Sequence, residues 1–390
     1  MLVYAMDYWI YGLEKVMLDL GEIRDKIDGI DRQLVDLFEE RMQLCTDVAK
    51  YKIETGKKVL DTDREKAKIE AVSKMVKDPK NVHAIDDLFS QIMANSRKMQ
   101  YRLLEETTQT LREPYEAIDE IDKKNCRVVY QGVPGAYSYI AMRRFFGKDV
   151  NNFAVPTWRD AMEAVKNGEA DYAVLPNTTA GCVADVYDLI QEYDNYIIAE
   201  TFVKVEHALL GLEGTDIDKV TTVYSHPQGF MQCEKFLSKH KDWQQISQAN
   251  TAGSAKKVLE ENDKTHVAIA SEEAAEVYNL SVLAKKINDL DNNTTRFVIV
   301  TNTRKFVKNA KKMSIVFETA NEPGTLYNLL SHIIYNGLNM NKIESRPIEG
   351  RPWEYRFFID FEGNIDDPAV MNALRGIQEE AKAIKLLGNY

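Results

Sequence analysis

The sequence predicts a multidomain chain: an all-α domain, then an α/β domain, then a small α+β domain of ferredoxin-like order. Three observations carry this. Residues from about 20 to 106 keep a helical spacing of apolar positions with almost no strand signal. From Arg127, short apolar runs (RVVYQG, YAVLP, TTVYSHP, HVAIAS, RFVIVT) alternate with helical stretches, the pattern of an α/β domain with largely parallel strands. From Lys311 the order becomes SIVFE, a helix over PGTLYNLLSHIIYNG, then NKIESRPI, YRFFIDFE, a helix near DPAVMNALRGIQEEA, and KAIKLL, which is βαββαβ. The expected domains are 17–106, 126–303 and 311–390, with a charged link at roughly 105–125.

The first domain opens on a long amphipathic helix, followed by a turn at Gly56 and a second break at Asp78-Pro79. The helix carries Arg24, Arg41 and Lys52, expected to form one stripe bordering the apolar face made by Ile23, Ile27, Ile30, Leu34, Leu37, Cys45 and Val48. Asp61, Arg64 and Glu65 lie just downstream, so the set reads as a pocket for a small dianion. Arg24 and Arg41 are about 25 Å apart along a straight helix, too far for one ligand under ~10 Å across. If both bind it, one comes from a second copy, which favours a dimer. The stretch LGEIRDKIDGIDRQLVDLFEERMQLCTDVAKYKIETGKKVLDTDRE, with Ser96 and Gln100 one turn apart in NSRKMQ, resembles the all-helical chorismate mutase family. The resemblance implies that Arg24 (reaching into the partner's site), Arg41 and Arg64 hold the substrate carboxylates. Lys52 and Gln100 would face the ether oxygen, and Asp61, Glu65 and Ser96 would fix hydroxyls and neighbouring side chains. The rearrangement of chorismate to prephenate needs no nucleophile, metal or cofactor, only a held conformer and fixed cations near the developing negative charge.

In the middle domain, YQGVPGAYS places Gly132 and Gly135 at a strand-to-helix turn with Ser138 at the helix start, a place where backbone can approach an anion. SHPQGFMQC puts Ser225 seven residues before Gln232, with a helix expected from Pro227, and NNTTRF sets Thr294, Thr295 and Arg296 before a strand. Together with NTAGSA and ASEEAAEVYNLSVL these resemble prephenate dehydratase. That family implies two α/β lobes, similar in build to periplasmic solute-binding proteins, with the site in the cleft. Thr295 would be the proton donor to the departing hydroxyl. Asn177, Ser225 and Gln232 would position or polarise groups, and Arg296 would anchor a carboxylate. One departure stands out. The family's Pro-Ile-Glu-Asn reads Leu175-Pro176-Asn177-Thr178-Thr179-Ala180-Gly181 here, so an Ile-Glu pair is missing. Two residues are up to ~7 Å of extended chain, enough to draw Asn177 away from the cleft.

The last domain resembles the ACT regulatory module through Glu322-Pro323-Gly324-Thr325-Leu326 and Glu344-Ser345-Arg346-Pro347. The resemblance implies an amino-acid effector site, with phenylalanine as the usual ligand, built from Gly324, Thr325, Leu326, Glu344, Ser345, Arg346 and Pro347 between paired modules. Taken whole, the chain resembles the bifunctional chorismate mutase/prephenate dehydratase family of phenylalanine biosynthesis. Two alternatives remain open on the same residues: a mutase whose dehydratase is impaired by the short loop, and a non-catalytic aromatic-ligand sensor.

Composition agrees with a small-molecule enzyme. The 390 residues carry a formal net charge of −11, with a pI near 5.3, which argues against nucleic acid or an anionic membrane as main partner. Four scattered cysteines without a CxxC and six histidines without HExxH or HxH suggest neither a disulfide framework nor a metal site. No run reaches membrane-spanning length. The aromatic opening MLVYAMDYWIYGLEKVM lacks a basic n-region and a cleavage site, so residues 1–16 read as an extension and the expected location is cytoplasmic.

Overall fold

A computed structural model of the chain describes residues 19–107, 115–177 and 185–390. The extension 1–16, the domain start at Met17, part of the 105–125 link, and Thr178, Thr179, Ala180 and Gly181 lie outside the described residues. The chain divides into two compact units at Thr108–Gln109. No described helix is long and apolar enough to cross a membrane.

The first unit is helical, as expected. Helix α1 (Leu20–Thr55) begins where the Asp19 carboxylate accepts the Gly21 N–H at 2.7 Å, and stops at Gly56, whose φ of +65° suits a residue without Cβ. Helix α2 (Thr62–Ser73) starts from the Asp61 cap, and α3 (Val82–Thr107) follows a short 3-10 turn over Pro79–Asn81. Both α1 and α2 pack on α3 around Ala49, Val72, Met93, Ala94 and Tyr101. The cations do not form the expected single stripe. At 100° per residue, Arg41 and Lys52 fall about 20° apart and on the apolar face itself, whereas Arg24 lies about 100° from Arg41. Nor is that face buried along its first half: Ile27, Ile30, Leu34 and Leu37 are 50–62% exposed.

The second unit begins with β1 (Glu116–Ile118), β2 (Arg127–Gln131), α4 (Tyr137–Phe146), β3 (Asn151–Val155), α5 (Trp158–Lys166), β4 (Tyr172–Pro176), α6 (Asp185–Glu192) and β5 (Tyr196–Lys204). The chain then crosses to a second lobe. This holds β6 (Ala208–Gly211), β7 (Thr222–Ser225), α7 (Pro227–Gln232), α8 (Glu234–Leu237), β8 (Gln244–Ser247), α9 (Thr251–Glu261), β9 (His266–Ala270), α10 (Glu272–Tyr278) and β10 (Ser281–Ala284). It returns through β11 (Thr294–Thr301) and β12 (Lys305–Val307). The final stretch is β13 (Lys312–Thr319), α11 (Thr325–Tyr335), β14 (Met340–Ile348), β15 (Arg351–Glu362), α12 (Pro368–Glu380) and β16 (Ala383–Asn389), in the expected βαββαβ order.

The second lobe's sheet runs β10-β6-β9-β7-β8; among the described residues the other large sheet has nine strands, β14-β15-β13-β16-β5-β11-β4-β2-β3. Two expectations change here. The strands are mixed, not largely parallel: β11 is antiparallel to both β4 and β5, because it is the strand that re-enters from the second lobe. And the βαββαβ module is not a separate body, since β16 joins β5 through the pair Gly388–Ile197. One face of the module's strands carries Ile315, Phe317, Ile359 and Phe361 under α11 and α12. The other carries Val316 and Phe358 against Tyr187, Val298 and Leu387 of the shared core.

The junction tolerates no side chain at Gly388, where an added Cβ would collide with the Ile197 carbonyl oxygen. Gly388→Ala is expected to destabilise the second unit by roughly 1–3 kcal/mol through overpacking. Thermal unfolding should register the loss while melting of the first unit stays put; an unchanged melting curve would show the junction to be incidental.

Candidate functional site

In the first unit, Arg41, Lys52, Asp61, Arg64, Glu65, Ser96 and Gln100 line one cavity of about 770 Å³. Arg24 is not among its lining residues, as its position on α1 requires. The carboxylates organise the wall. Asp61 caps α2 by accepting the Arg64 N–H at 3.1 Å, and Glu65 accepts from Arg97 Nη1 at 2.5 Å. Ser96 Oγ accepts from Arg41 Nη1 at 2.8 Å, and Lys52 Nζ donates to the Val59 carbonyl. Six cationic side chains and three carboxylates line the cavity, so a chain of net charge −11 holds a local positive excess. Gln100 is 6% exposed and its Oε1 is buried without a partner, so its carboxamide is held ready for a ligand group. Arg97 was missed from the sequence, although Met93, Ser96, Arg97 and Gln100 make an i, i+3, i+4, i+7 stripe on α3.

In the second unit the two connectors between lobes are bonded to each other. Val205 N–H donates to Asn293 O at 2.8 Å and Ile287 N–H to His207 O at 2.9 Å. Gln232 lies in the second turn of α7, which starts at Pro227 as expected, and its Oε1 meets His207 Nε2 at 2.7 Å. Because a carboxamide oxygen only accepts, His207 Nε2 carries the proton and Nδ1 faces the Tyr137 hydroxyl at 3.2 Å, a hydroxyl that also donates to the Glu206 carbonyl at 2.9 Å. Thr295 is half-buried near the return connector, and alternation puts it on the face of Phe297 and Ile299, whose core Tyr137 also packs against. Sequence reading missed His207 and Tyr137; the available signal was a lone histidine entering the apolar run HALLG.

Three expected members of this site are placed elsewhere. Arg296, next to Thr295, points to the opposite face. It donates from Nε to Glu200 (2.6 Å), from Nη1 to Asp360 (2.7 Å) and Asn177 (3.2 Å), and from Nη2 to the Tyr390 hydroxyl (2.5 Å). Its guanidinium is bonded to the protein's own carboxylates, Glu200 and Asp360. Asn177 is pulled to that same face, because its N–H pairs with Arg296 O at 2.7 Å and puts it directly across from Arg296. Ser225 is fully buried under α7, donating to Ile269 O at 3.0 Å. The YQGVPGAYS turn is structural too: Ser271 Oγ donates to Gly135 O, Tyr278 to Pro134 O, and Ser138 to Gln131 O. Gly135, at φ +84°, is needed because a Cβ there would strike the Ala274 backbone of the other lobe.

In the βαββαβ module a smaller cavity of about 280 Å³ lies by the start of α11, lined by Gly324, Thr325, Leu326, Tyr327, Trp353, Tyr355 and Phe357 among others. Glu344 and Arg346 depart from expectation. They pair with each other at 3.3 Å, and Glu344 also pairs with Lys342 at 3.1 Å, on the strand face turned toward the core shared with β5 and β11. Ser345 and Pro347 sit across from Phe357 and Tyr355 instead.

Comparison with known proteins fits both units. A chorismate mutase type II family model matches residues 23–101, and a prephenate dehydratase model matches 128–305. The bifunctional chorismate mutase/prephenate dehydratase of Enterobacter agglomerans is 32% identical over 378 residues, covering 94% of this chain and 95% of that protein. The chain belongs to the bifunctional chorismate mutase/prephenate dehydratase family. Among solved structures, a prephenate dehydratase from Arthrobacter aurescens in complex with L-Phe aligns with TM-score 0.63 and 28% identity, covering 68% of this chain and 89% of that one. A chain described as GqqA, a novel type of quorum quenching acylase, aligns with TM-score 0.63 and 30% identity, over 67% of this chain and 96% of that one. As a bifunctional chorismate mutase/prephenate dehydratase, the chain carries both activities; the readings as a mutase with an impaired partner domain or as a sensor are not favoured.

Within this enzyme His207 is a neutral histidine. Burial pushes its imidazole below the ordinary 6.5, and the bond to Gln232 only partly offsets that. The folded unit therefore binds fewer protons than the unfolded chain as pH drops through about 6.5, and stability falls until pH passes the depressed folded value. Tm of the second unit is expected to decline between about pH 7 and 5. His207→Asn should flatten that slope; an equal slope in the variant would remove His207 as its source.

Proposed function

We propose that the first unit rearranges chorismate to prephenate in the positive cavity, with Arg41 and Arg64 on the substrate carboxylates and Lys52 and Gln100 at the ether oxygen. Convergence of these cations and the Gln100 carboxamide, whose Nε2 can donate, on one cavity carries the reading. The C–O bond breaks as negative charge gathers on oxygen, and fixed cations in a confined site stabilise it without reorganising. Asp61, Glu65 and Ser96 position these groups. Arg24 comes from a second copy of the chain in a homodimer, whose α1 also covers the bare face at Ile27, Ile30, Leu34 and Leu37. Lys52→Ala should cut mutase turnover by at least ~10²-fold and leave dehydration of added prephenate intact; near-normal turnover would sink the assignment. Mixing inactive Arg24→Ala and Lys52→Ala chains should restore about a quarter of wild-type activity, since one site of each hybrid dimer is complete. No recovery would count against sharing.

In the second unit, prephenate becomes phenylpyruvate. The electron pair of the breaking C–CO₂⁻ bond completes the aromatic ring, CO₂ leaves, and the ring hydroxyl departs as water with a proton from Thr295. Gln232, oriented by His207 and Tyr137, positions the substrate across the connectors. Aromatisation supplies the driving force, so a weak acid in good orientation suffices. The C-terminal module acts as an ACT domain that takes phenylalanine at the slot by Gly324, Thr325 and Leu326 and lowers dehydratase output. The Arthrobacter relative solved with L-Phe supports this. A single time course from chorismate, following its loss and phenylpyruvate formation separately, tests the pair: both signals are expected, and prephenate accumulating alone would overturn the second assignment.

A further inference from the structure

β15, which lines the proposed effector slot, and β14, which pairs with it, both also reach the dehydratase half. β15 carries Tyr355 and Phe357 at the slot and, three residues beyond Phe357, Asp360. At about 3.3 Å per residue that is roughly 10 Å of one continuous strand. Asp360 is 2% exposed and its carboxylate accepts from Arg296 Nη1 at 2.7 Å, from Ser314 Oγ at 2.5 Å and from the Tyr187 hydroxyl at 3.2 Å. β14 carries Ser345 and Pro347 opposite those aromatics, and on its other face Lys342, whose Nζ lies 3.5 Å from Asn177 Oδ1 and 4.5 Å from the Tyr187 ring centre. Arg296 is the residue after Thr295. The contacts therefore run without a gap from slot, to strand, to the peptide that holds the dehydratase acid.

We propose that Asp360–Arg296, supported by Lys342–Asn177, is the coupling element through which the slot's occupancy sets the position of Thr295. The inference rests on the effector reading above. Its physical basis is that these charges are buried. A shift of β15 that lengthens the Asp360–Arg296 contact leaves a guanidinium poorly paired in the core, so the strand carrying Thr295 follows the module. Arg296 and Asp360 act as positioning residues; neither touches the reacting atoms. Alternation along β11 makes the relay directional: what pulls Arg296 toward the module moves Thr295 relative to the α4 face.

Asp360→Asn keeps the shape and removes the charge. In the full chain it is expected to bind phenylalanine as the unaltered enzyme does, read by equilibrium dialysis, and to keep mutase turnover. The phenylalanine concentration that halves dehydratase output should rise by about tenfold or more, within the ordinary range of site-to-site coupling. Tyr390→Phe, which removes a single hydrogen bond from Arg296, should move it in the same direction by less and serves if Asp360→Asn does not fold. Normal binding with unchanged inhibition in a folded variant would overturn the relay alone. Failure of the unaltered chain to bind phenylalanine would bring down the effector reading and the relay with it.

Discussion

A guanidinium withdrawn from water has to find its partners inside the protein, and those of Arg296 come from both halves of the second unit. Glu200 on β5 and Asn177 after β4 belong to the dehydratase half; Asp360 on β15 and Tyr390 after β16 belong to the module. Burial works against the charge, but Tyr390, Asp360, Tyr187 and Glu200 outweigh it, so the guanidinium is held more firmly protonated than usual. Further pairs lie along the same junction: Lys312–Glu200 at 2.6 Å, Lys385–Asp194 at 2.7 Å and Arg356–Asp188 at 3.7 Å. Apolar contacts among Val298, Val316, Phe358 and Leu387 exclude water beside them. Directional pairs of this kind oppose sliding along the junction, which apolar contact alone does not.

The first unit meets a different demand. A pericyclic rearrangement asks for charge in a fixed place, and cations crowded into one cavity repel each other. Asp61 and Glu65 answer this: one starts α2 and thereby places Arg64, the other ties Arg97 to the wall. Ser96 does the same for Arg41. Cations held by protein partners before the substrate arrives cost less to organise at the moment of reaction.

Local signals in the sequence were read well because they are set by short-range physics. Gly56 ends α1, Pro227 starts α7, and the βαββαβ order follows from periodicity and turn residues. The pocket's residues were found through the resemblance of two sequence stretches to a known family; helical spacing alone misplaced Arg24 and missed Arg97. What escaped depends on register and on which face a strand turns to its neighbour. Nothing local says that Asn177 pairs across from Arg296, that Arg296 faces a module 64 residues further on at Asp360, or that β16 joins β5. The single stripe of cations failed for a simpler reason: seventeen residues do not close a whole number of helical turns.

The missing Ile-Glu pair looks different once the strand faces are known. The shortened loop leaves Asn177 in register with Arg296, so the residue expected to work in the cleft is instead buried at the junction with the module. On the opposite face lies Thr295 on β11, with Tyr137, His207 and Gln232 meeting across the connectors. Burial keeps the Tyr137 hydroxyl protonated and favours a neutral His207, which meets Gln232 as an uncharged donor. A reaction whose product is aromatic supplies its own driving force, and orientation by neutral donors is compatible with it where an added carboxylate is absent.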